Sequence, residues 1–104
     1  MHSGKFRLEA TPLFGMELEQ VINYIETQLA NPVAADKLQI DVESAVSERL
    51  SASTSFEPVV SRADREHPYY RFYVGNYIVF YCVIGNVMEL RRFIYKGRNR
   101  RIQI

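Results

Sequence analysis

Two glycine–asparagine pairs constrain this chain more than any other feature of its sequence. Gly75-Asn76 and Gly85-Asn86 separate three runs of apolar and aromatic residues, which are Tyr69–Val74, Tyr77–Ile84 and Val87–Tyr95. Runs of this length with two-residue breaks are typical of β-strands joined by tight hairpin turns. The C-terminal part of the chain is therefore predicted to be a three-stranded antiparallel meander.

The first half of the chain changes from strand periodicity to helix periodicity. Residues 5–13 alternate between apolar and polar side chains, as a strand with one buried face does. Apolar residues then recur at three- and four-residue spacing in 17–29 and again in 35–50, which predicts two amphipathic helices. Asn31-Pro32 lies between them and supplies an N-cap residue followed by a proline for the first helical turn. Helices joined by so short a break are expected to form an antiparallel hairpin.

The predicted element order is β-α-α-β-β-β. The helical hairpin must bury its apolar stripes, and the meander offers the one large apolar face in the sequence. Residues 51–55 are predicted to be the end of the second helix and a loop, and residues 56–68 a connector with little regular structure. We therefore expect an α+β fold in which an antiparallel sheet carries a helical hairpin on one face. The 104 residues form one domain, with residues 1–4 set apart as a tag or an unstructured tail.

The cysteine and histidine content excludes several kinds of site. Cys82 is the only cysteine, so the sequence allows neither an intramolecular disulfide nor a cysteine-based metal centre. A mid-strand position among apolar residues predicts that Cys82 belongs to the core. His67 precedes Pro68 in a predicted loop, and we interpret it as a solvated residue and not as a general base. No metal and no cofactor is expected.

Hydropathy indicates the cellular location of the protein. The longest apolar run, Tyr77–Ile84, has the length of a strand and falls short of the roughly 18 residues that a membrane span requires. The first residues lack the apolar segment of a signal peptide. We therefore expect a cytoplasmic protein without a membrane partner.

Charges and aromatic residues are distributed unevenly. Residues 1–60 contain four Lys/Arg against nine Asp/Glu, a balance of −5, whereas residues 61–104 contain nine against three, a balance of +6. Nine of the thirteen aromatic residues lie between Tyr69 and Tyr95. A basic, aromatic-rich half favours an anionic partner, either a nucleic acid or an acidic protein segment. Chance segregation of charge in a small domain is the alternative.

Several basic residues are candidates for binding such a partner. Arg71 and Tyr73 share a face of the first meander strand, and this pairing suits stacking on a base beside a phosphate. Arg92 alternates with apolar residues on one face of the third strand, with Met88, Leu90 and Ile94. Because a buried unpaired guanidinium is costly, Arg92 requires a partner or a position at the sheet edge, and a structural ion pair is slightly favoured over a cleft role. A basic tail adds candidate phosphate-binding side chains, which are Arg98, Arg100 and Arg101.

Four stretches, 18–25, 31–35, 70–81 and 90–99, carry a further pattern. The third begins Y-R-x-x-V-G-x-Y and the fourth contains R-x-x-Y-x-x-R-N. The residues that fall on this ending are Arg92, Tyr95, Arg98 and Asn99. With the predicted element order, these stretches resemble the RelE/ParE family, the small toxins of bacterial type II toxin–antitoxin pairs. The resemblance covers residues 6–99.

The resemblance implies a cytoplasmic bacterial toxin that is neutralised by a cognate antitoxin, whose extended or helical segment wraps the toxin. RelE-like members cut mRNA in the ribosomal A site, and ParE-like members poison DNA gyrase. For the RelE-type reaction it implies that Arg71 and Arg98 hold the scissile phosphate and that Tyr95 assists proton transfer as an acid. Residues implied to contact the RNA or another target are Tyr73, Arg92, Asn99 and Arg100.

Departures from the RelE pattern leave open which of these mechanisms the chain uses. Tyr73 and Ile78 stand where RelE has a lysine and an arginine, and no tyrosine follows Arg98. The first expectation is inhibition of translation by ribosome-dependent mRNA cleavage. The alternatives are a ParE-like inhibitor of gyrase and a degraded toxin that only binds its antitoxin. The sequence does not decide whether the protein forms a homodimer.

Overall fold

The computed structural model describes residues 6–54 and 67–97, and the elements follow the predicted order. A short π-helical turn continues the first helix. In chain order the elements are β1 (Arg7–Ala10), α1 (Pro12–Asn23), the π-helical turn (Tyr24–Gln28), α2 (Pro32–Leu50), β2 (Tyr69–Val74), β3 (Tyr77–Ile84) and β4 (Val87–Tyr95). The predicted tail at residues 1–4 and most of the predicted connector lie outside the described residues.

The four strands form one sheet in the order β1-β4-β3-β2. The predicted meander is confirmed, because β2 pairs antiparallel with β3, and β3 with β4. β1 lies parallel to β4, with Arg7 opposite Val87 and Ala10 opposite Leu90. The sheet is therefore mixed and not antiparallel throughout, because the helical hairpin carries the chain across the sheet before the meander begins.

Both glycines of the hairpin turns have left-handed backbones, with φ of 57° at Gly75 and 62° at Gly85. The asparagine after each glycine does not share this conformation. A positive φ at the first central residue alone defines a type II′ turn, whose twist matches that of the flanking strands. These two turns set the register of the meander.

Helix α1 begins five residues before the predicted start at residue 17. The Thr11 hydroxyl accepts a hydrogen bond from the Phe14 amide at 3.2 Å, and Pro12 occupies the first turn. The strand predicted over 5–13 correspondingly ends at Ala10. The predicted start of α2 is confirmed, since the Asn31 side chain accepts from the Ala34 amide at 3.1 Å.

Helices pack on one face of the sheet and close the main core. Phe14 meets Phe93 edge-to-face with ring centroids 6.0 Å apart, which fixes α1 against β4. Residues of α2 and of the sheet complete this cluster, among them Leu38, Val42, Val46, Phe72, Val79, Tyr81, Met88 and Leu90. The predicted core position of Cys82 is confirmed, but it belongs to a second cluster on the opposite face, with Tyr69, Ile78, Phe80 and Ile94.

A β-bulge in β4 changes the face of the sheet on which the last residues of the strand lie, compared with the prediction. Phe80 lies opposite Arg92 and Tyr81 lies opposite Leu90, so Arg91 is an extra residue. Strict alternation placed Ile94 on the face of Met88 and Leu90, and this prediction was wrong. Beyond the bulge Phe93 joins the helix-covered face, and Ile94 belongs to the cluster on the other face. None of the described helices is long and apolar enough to cross a membrane.

Candidate functional site

Arg92 is held by a carboxylate of α1, as the sequence analysis slightly favoured. Its guanidinium donates to Glu17, with Nη2 to Oε2 at 2.7 Å and Nε to the two oxygens at 3.1 and 3.2 Å. The hydrogen bonds to Glu17 raise the pKa of Arg92 above its ordinary value and outweigh partial burial, which lowers it. The charge of Arg92 is thus neutralised within the protein.

The same carboxylate also caps the edge of the sheet. β1 pairs with β4 only as far as Leu90, so the rest of β4 has no strand neighbour on that side among the described residues. Glu17 Oε1 accepts the Phe93 amide there at 2.8 Å. At the end of β1, the Thr11 amide donates to Leu90 O at 2.9 Å and its hydroxyl to Arg91 O at 3.3 Å. Beyond the end of β1, helix α1 therefore supplies a hydrogen-bond acceptor for the edge of β4.

Arg91, the extra residue of the bulge, is also paired. Its Nε donates to Glu89 at 2.6 Å and its Nη1 to the Tyr69 hydroxyl at 3.3 Å. Its guanidinium carbon lies 5.7 Å from the centroid of the Tyr69 ring. Arg91 was not among the predicted site residues, although alternation along β4 places it on the same face as Glu89, and Cys82 lies opposite both Glu89 and Tyr69.

A second network, not predicted from the sequence, connects α2 to the sheet. Arg49 donates from Nε to the Tyr81 hydroxyl at 3.0 Å and from Nη2 to Arg71 O at 2.9 Å. The Tyr81 hydroxyl in turn donates to Ser53 O at 2.7 Å, and both Tyr81 and Ser53 are fully buried. Burial raises the pKa of Tyr81, although the charge and hydrogen bond of Arg49 act in the opposite direction. The network fixes the end of α2 over β2 and β3.

Arg71 and Tyr73 lie side by side on the face that the helices leave uncovered. Arg71 is opposite Phe80 and Tyr73 is opposite Ile78, and both of those partners belong to the second cluster. Arg71 is exposed, and so is half of Tyr73. Because Phe80 also lies opposite Arg92, Arg71 and Arg92 share a cross-strand row, two strand spacings or about 10 Å apart.

Tyr95 lies on the other face, toward the helices. It is opposite Tyr77, whose ring stacks on Phe93 with centroids 5.0 Å apart. The Tyr95 ring also covers Gly97, where a Cβ would come within 2.7 Å of a ring carbon. The structure therefore does not bring Arg71 and Tyr95 together. The other predicted site residues, Arg98, Asn99 and Arg100, lie outside the described residues.

Few basic side chains lack a partner in the part of the chain that the structure describes. Arg7 and Lys37 form exposed ion pairs, and the arginines of α2 and β4 have the partners given above. Within residues 6–54 and 67–97, Arg71 and Lys96 are the basic side chains without a hydrogen bond or an ion pair. The same residues contain no cluster of three or more His, Cys, Asp or Glu that could hold a metal ion.

A groove of about 490 Å³ runs between α1 and the end of β4. Its apolar surface comes from Val21, Tyr77 and Phe93, and the pair of Glu17 and Arg92 closes one part of it. Residues Gln20, Tyr24, Ile94 and Tyr95 also line it. Burial and the charge of Tyr95 raise the pKa of Tyr77 within this groove.

Comparisons with known proteins identify the architecture. One similar solved structure is described as the chromosomal ParDE TA system from P. aeruginosa, with a TM-score of 0.69 and 14% identity over 89% of this chain and 98% of that chain. Another is the archaeal RelE-RelB complex from Pyrococcus horikoshii OT3, with a TM-score of 0.52 and 16% identity over 90% and 98%. No protein-family model and no curated protein matches the sequence. The chain has the RelE/ParE fold, as the resemblance implied.

Proposed function

We propose that this protein is the toxin of a bacterial type II toxin–antitoxin system and that it works in the cytoplasm with a cognate antitoxin as its partner. The observation that carries the proposal is the structural match to 98% of a chain from a ParDE system, at a TM-score of 0.69. The element order, the parallel pairing of β1 with β4 and the sequence motif on β2 and β4 support it.

For the action of the toxin we propose binding to a protein target, with DNA gyrase, the target of ParE-like members, as the first choice. The ion pairs of β4 support this choice. Phosphate recognition depends on cations that are free to neutralise the backbone, whereas Arg91 and Arg92 are each neutralised by a carboxylate at 2.6 and 2.7 Å. Breaking such a partly buried pair to bind RNA would cost the energy of both hydrogen-bonded groups.

The separation of the proposed catalytic residues is a second argument. Arg71 and Tyr95 lie on opposite faces of the sheet. A general acid must come within hydrogen-bonding distance of the reacting group, about 3 Å. A phosphate bound by Arg71 on one face is therefore out of reach of Tyr95 on the other.

Ribosome-dependent mRNA cleavage is the second candidate function. Arg71 and Tyr73 favour it, because an unpaired guanidinium beside an exposed ring can contact a phosphate while the ring stacks on a base. In this version Arg98 holds the phosphate with Arg71, and Tyr95 acts as the acid, as the sequence resemblance implies. Arg92, Asn99 and Arg100 then contact the RNA.

Two parallel assays test these actions. Purified protein is added to a translating extract, where mRNA ends are mapped by primer extension, and to gyrase, where supercoiling of a relaxed plasmid is measured. We expect inhibited supercoiling and intact mRNA. New cuts in ribosome-bound codons that Arg71→Ala abolishes, and that the exposed α2 variant Lys37→Ala retains, would contradict gyrase binding and establish the nuclease. Circular dichroism confirms that each variant is folded.

A further inference from the structure

The ring of Tyr95 packs directly on the backbone of Gly97. A Cβ built on Gly97 would lie 2.7 Å from one ring carbon of Tyr95 and 3.1 Å from another, closer than nonbonded carbon atoms pack. Gly97 does not share the left-handed backbone of Gly75 and Gly85, so its φ does not explain the choice of glycine. The approach of the Tyr95 ring is therefore what requires a residue without a side chain at position 97.

Tyr95 is the last of four aromatic rings that connect helix α1 to the end of β4. The ring centroids of Phe14 and Phe93 are 6.0 Å apart in an edge-to-face contact. Tyr77 stacks on Phe93 at 5.0 Å, and Tyr95 meets Tyr77 edge-to-face at 5.9 Å. Rings in these arrangements stabilise one another beyond the burial of their apolar surface. The Tyr95 ring is thus held from the core, although 52% of the residue is exposed.

Tyr95 makes its contacts with the ring and not with the hydroxyl. Tyr77 packs against the ring on one side, and Gly97 contacts it as well. Within residues 6–54 and 67–97, the Tyr95 hydroxyl has no hydrogen-bond partner. It also lies across the sheet from Arg71, out of reach of a phosphate bound there. In the described part of the chain, the ring therefore has a structural contact to maintain and the hydroxyl has none.

Gly97 lies where the chain leaves the sheet. Strand β4 ends at Tyr95, and the Lys96 amide donates to Asn76 O at 2.7 Å, which ties the chain to the first hairpin turn. The Tyr95 ring covers the next residue, Gly97. Because these two contacts hold successive residues, they set the direction in which the chain continues after Gly97.

The sequence beyond β4 is strongly basic. Residues 96–104 contain four Lys/Arg and no Asp/Glu. Within β4, by contrast, Arg91 and Arg92 are each neutralised by a carboxylate. Basic side chains attract an acidic surface of a target protein, and a segment whose direction is fixed before contact loses less conformational entropy when it binds. An anchor at Gly97 would therefore strengthen target binding by the residues that follow it.

We propose that Tyr95 is a positioning residue, whose ring fixes Gly97 and so directs the basic end of the chain toward the target. The inference deepens the proposed function, on which it rests for the target, an acidic surface of gyrase. It differs from the acid role that the resemblance implies, because it requires the aromatic ring of Tyr95 and not the proton of its hydroxyl.

The test measures the concentration of purified full chain that inhibits supercoiling by gyrase by half. Tyr95→Phe keeps the ring, and we expect it to stay within about twofold of wild type. Tyr95→Ala and Gly97→Ala should each require about tenfold more protein, which corresponds to the entropy of fixing about one backbone residue. The matched control is Gly15→Ala on α1, where a Cβ meets nothing within 4 Å, and it should act like wild type.

A double variant and NMR test the contact itself. Tyr95→Ala removes the ring, so adding Gly97→Ala to it should change the half-inhibitory concentration by less than about twofold. The ring current of an aromatic side chain at position 95 should shift the α-protons of Gly97 in wild type and in Tyr95→Phe, and this shift should be lost in Tyr95→Ala. Melting temperatures within about 4 °C of wild type confirm that the variants are folded.

The outcomes distinguish the inference from the proposed function. Equal loss of activity in Tyr95→Phe and Tyr95→Ala would assign the role to the hydroxyl and refute positioning. Full activity of Tyr95→Ala, or an equal effect of Gly97→Ala with and without the ring, would refute it and leave the proposed function intact. If wild type cuts mRNA instead, abolition of cleavage by Tyr95→Phe overturns the inference. A wild-type chain that neither inhibits gyrase nor cuts mRNA would contradict both proposals.

Discussion

Glu17 and Arg92 are 75 residues apart in sequence, and their side chains join α1 to the edge of β4 through a bond of 2.7 Å. The same carboxylate accepts the Phe93 amide at 2.8 Å. One acidic side chain therefore neutralises an arginine, replaces a missing strand neighbour and sets the wall of the groove beside α1.

Loss of this carboxylate should destabilise the fold. Glu17→Ala leaves the Arg92 guanidinium and the Phe93 amide without their acceptor, and we expect the free energy of unfolding to fall by about 2–3 kcal/mol. Urea denaturation of purified protein measures it. Glu19→Ala, an exposed carboxylate on the same helix, is the control and should stay within about 0.5 kcal/mol of wild type. Equal stabilities for the two variants would refute the structural role of Glu17.

Ala30 is the described non-glycine residue with a positive φ, at 47°, in the loop that closes the helical hairpin. This left-handed conformation costs an L-residue about 1–2 kcal/mol, and glycine adopts it without the clash at the price of extra freedom when unfolded. Ala30→Gly should therefore raise the free energy of unfolding by up to about 1 kcal/mol. Ser47→Gly, on the exposed side of α2, should lower it by about 0.5 kcal/mol, because glycine is a poor helix former. A destabilised Ala30→Gly variant would contradict the assigned loop conformation.

The Tyr81 hydroxyl bridges Arg49 and the carbonyl of Ser53 in the core. Tyr81→Phe keeps the ring and removes both hydrogen bonds, so we expect a loss of about 1–3 kcal/mol in unfolding free energy. The exposed Tyr73→Phe change should cost less than about 0.5 kcal/mol. Thermal and urea unfolding of the two variants test the bridge. Equal losses of unfolding free energy in Tyr81→Phe and Tyr73→Phe would exclude it.

Alkaline pH should weaken the fold through Tyr77. Burial, together with the charge of Tyr95, raises the pKa of Tyr77 above its ordinary value of 10.0. The folded protein then retains this proton at a pH where the unfolded chain loses it. Stability is unaffected by this group below pH 10.0 and falls as pH rises from 10.0 through the folded pKa.

Unfolding free energies measured from pH 8 to 11 by urea titration report this effect. Tyr77→Phe should lose less stability than wild type above pH 10.0. The exposed control Tyr24→Phe should follow the wild-type curve. A Tyr77→Phe curve parallel to that of wild type would show that Tyr77 does not contribute.

Local signals in the sequence predicted most of the fold. Glycine–asparagine turns and the Asn31-Pro32 cap act over a few residues, and each is found where it was expected. Helical periodicity predicted both helices but not the start of α1 at Pro12. Thr11-Pro12 carries a similar cap signal, which the alternation of residues 5–13 obscured. The bulge at Arg91 has no such local signal, because it is a feature of the pairing of β4 with β3.

The site was harder to predict because its contacts are long-range. The position of Arg92 on its strand requires a partner for the guanidinium, but nothing local identifies Glu17, 75 residues away, as that partner. The Arg49–Tyr81 bridge likewise joins residues 32 apart. The separation of Arg71 from Tyr95 depends on the β-bulge at Arg91, which shifts the pairing of β3 with β4 by one residue and moves Tyr95 to the other face of the sheet. Motif spacing does not reveal this shift.

Growth of a bacterial culture after induction of this chain, with and without the product of the adjacent reading frame, tests the central claim most directly. The account predicts that the chain alone stops growth, that co-expression of the adjacent product restores it, and that the two proteins co-purify. Unaffected growth on induction of the folded chain, together with no binding to the adjacent product, would contradict its assignment as a toxin.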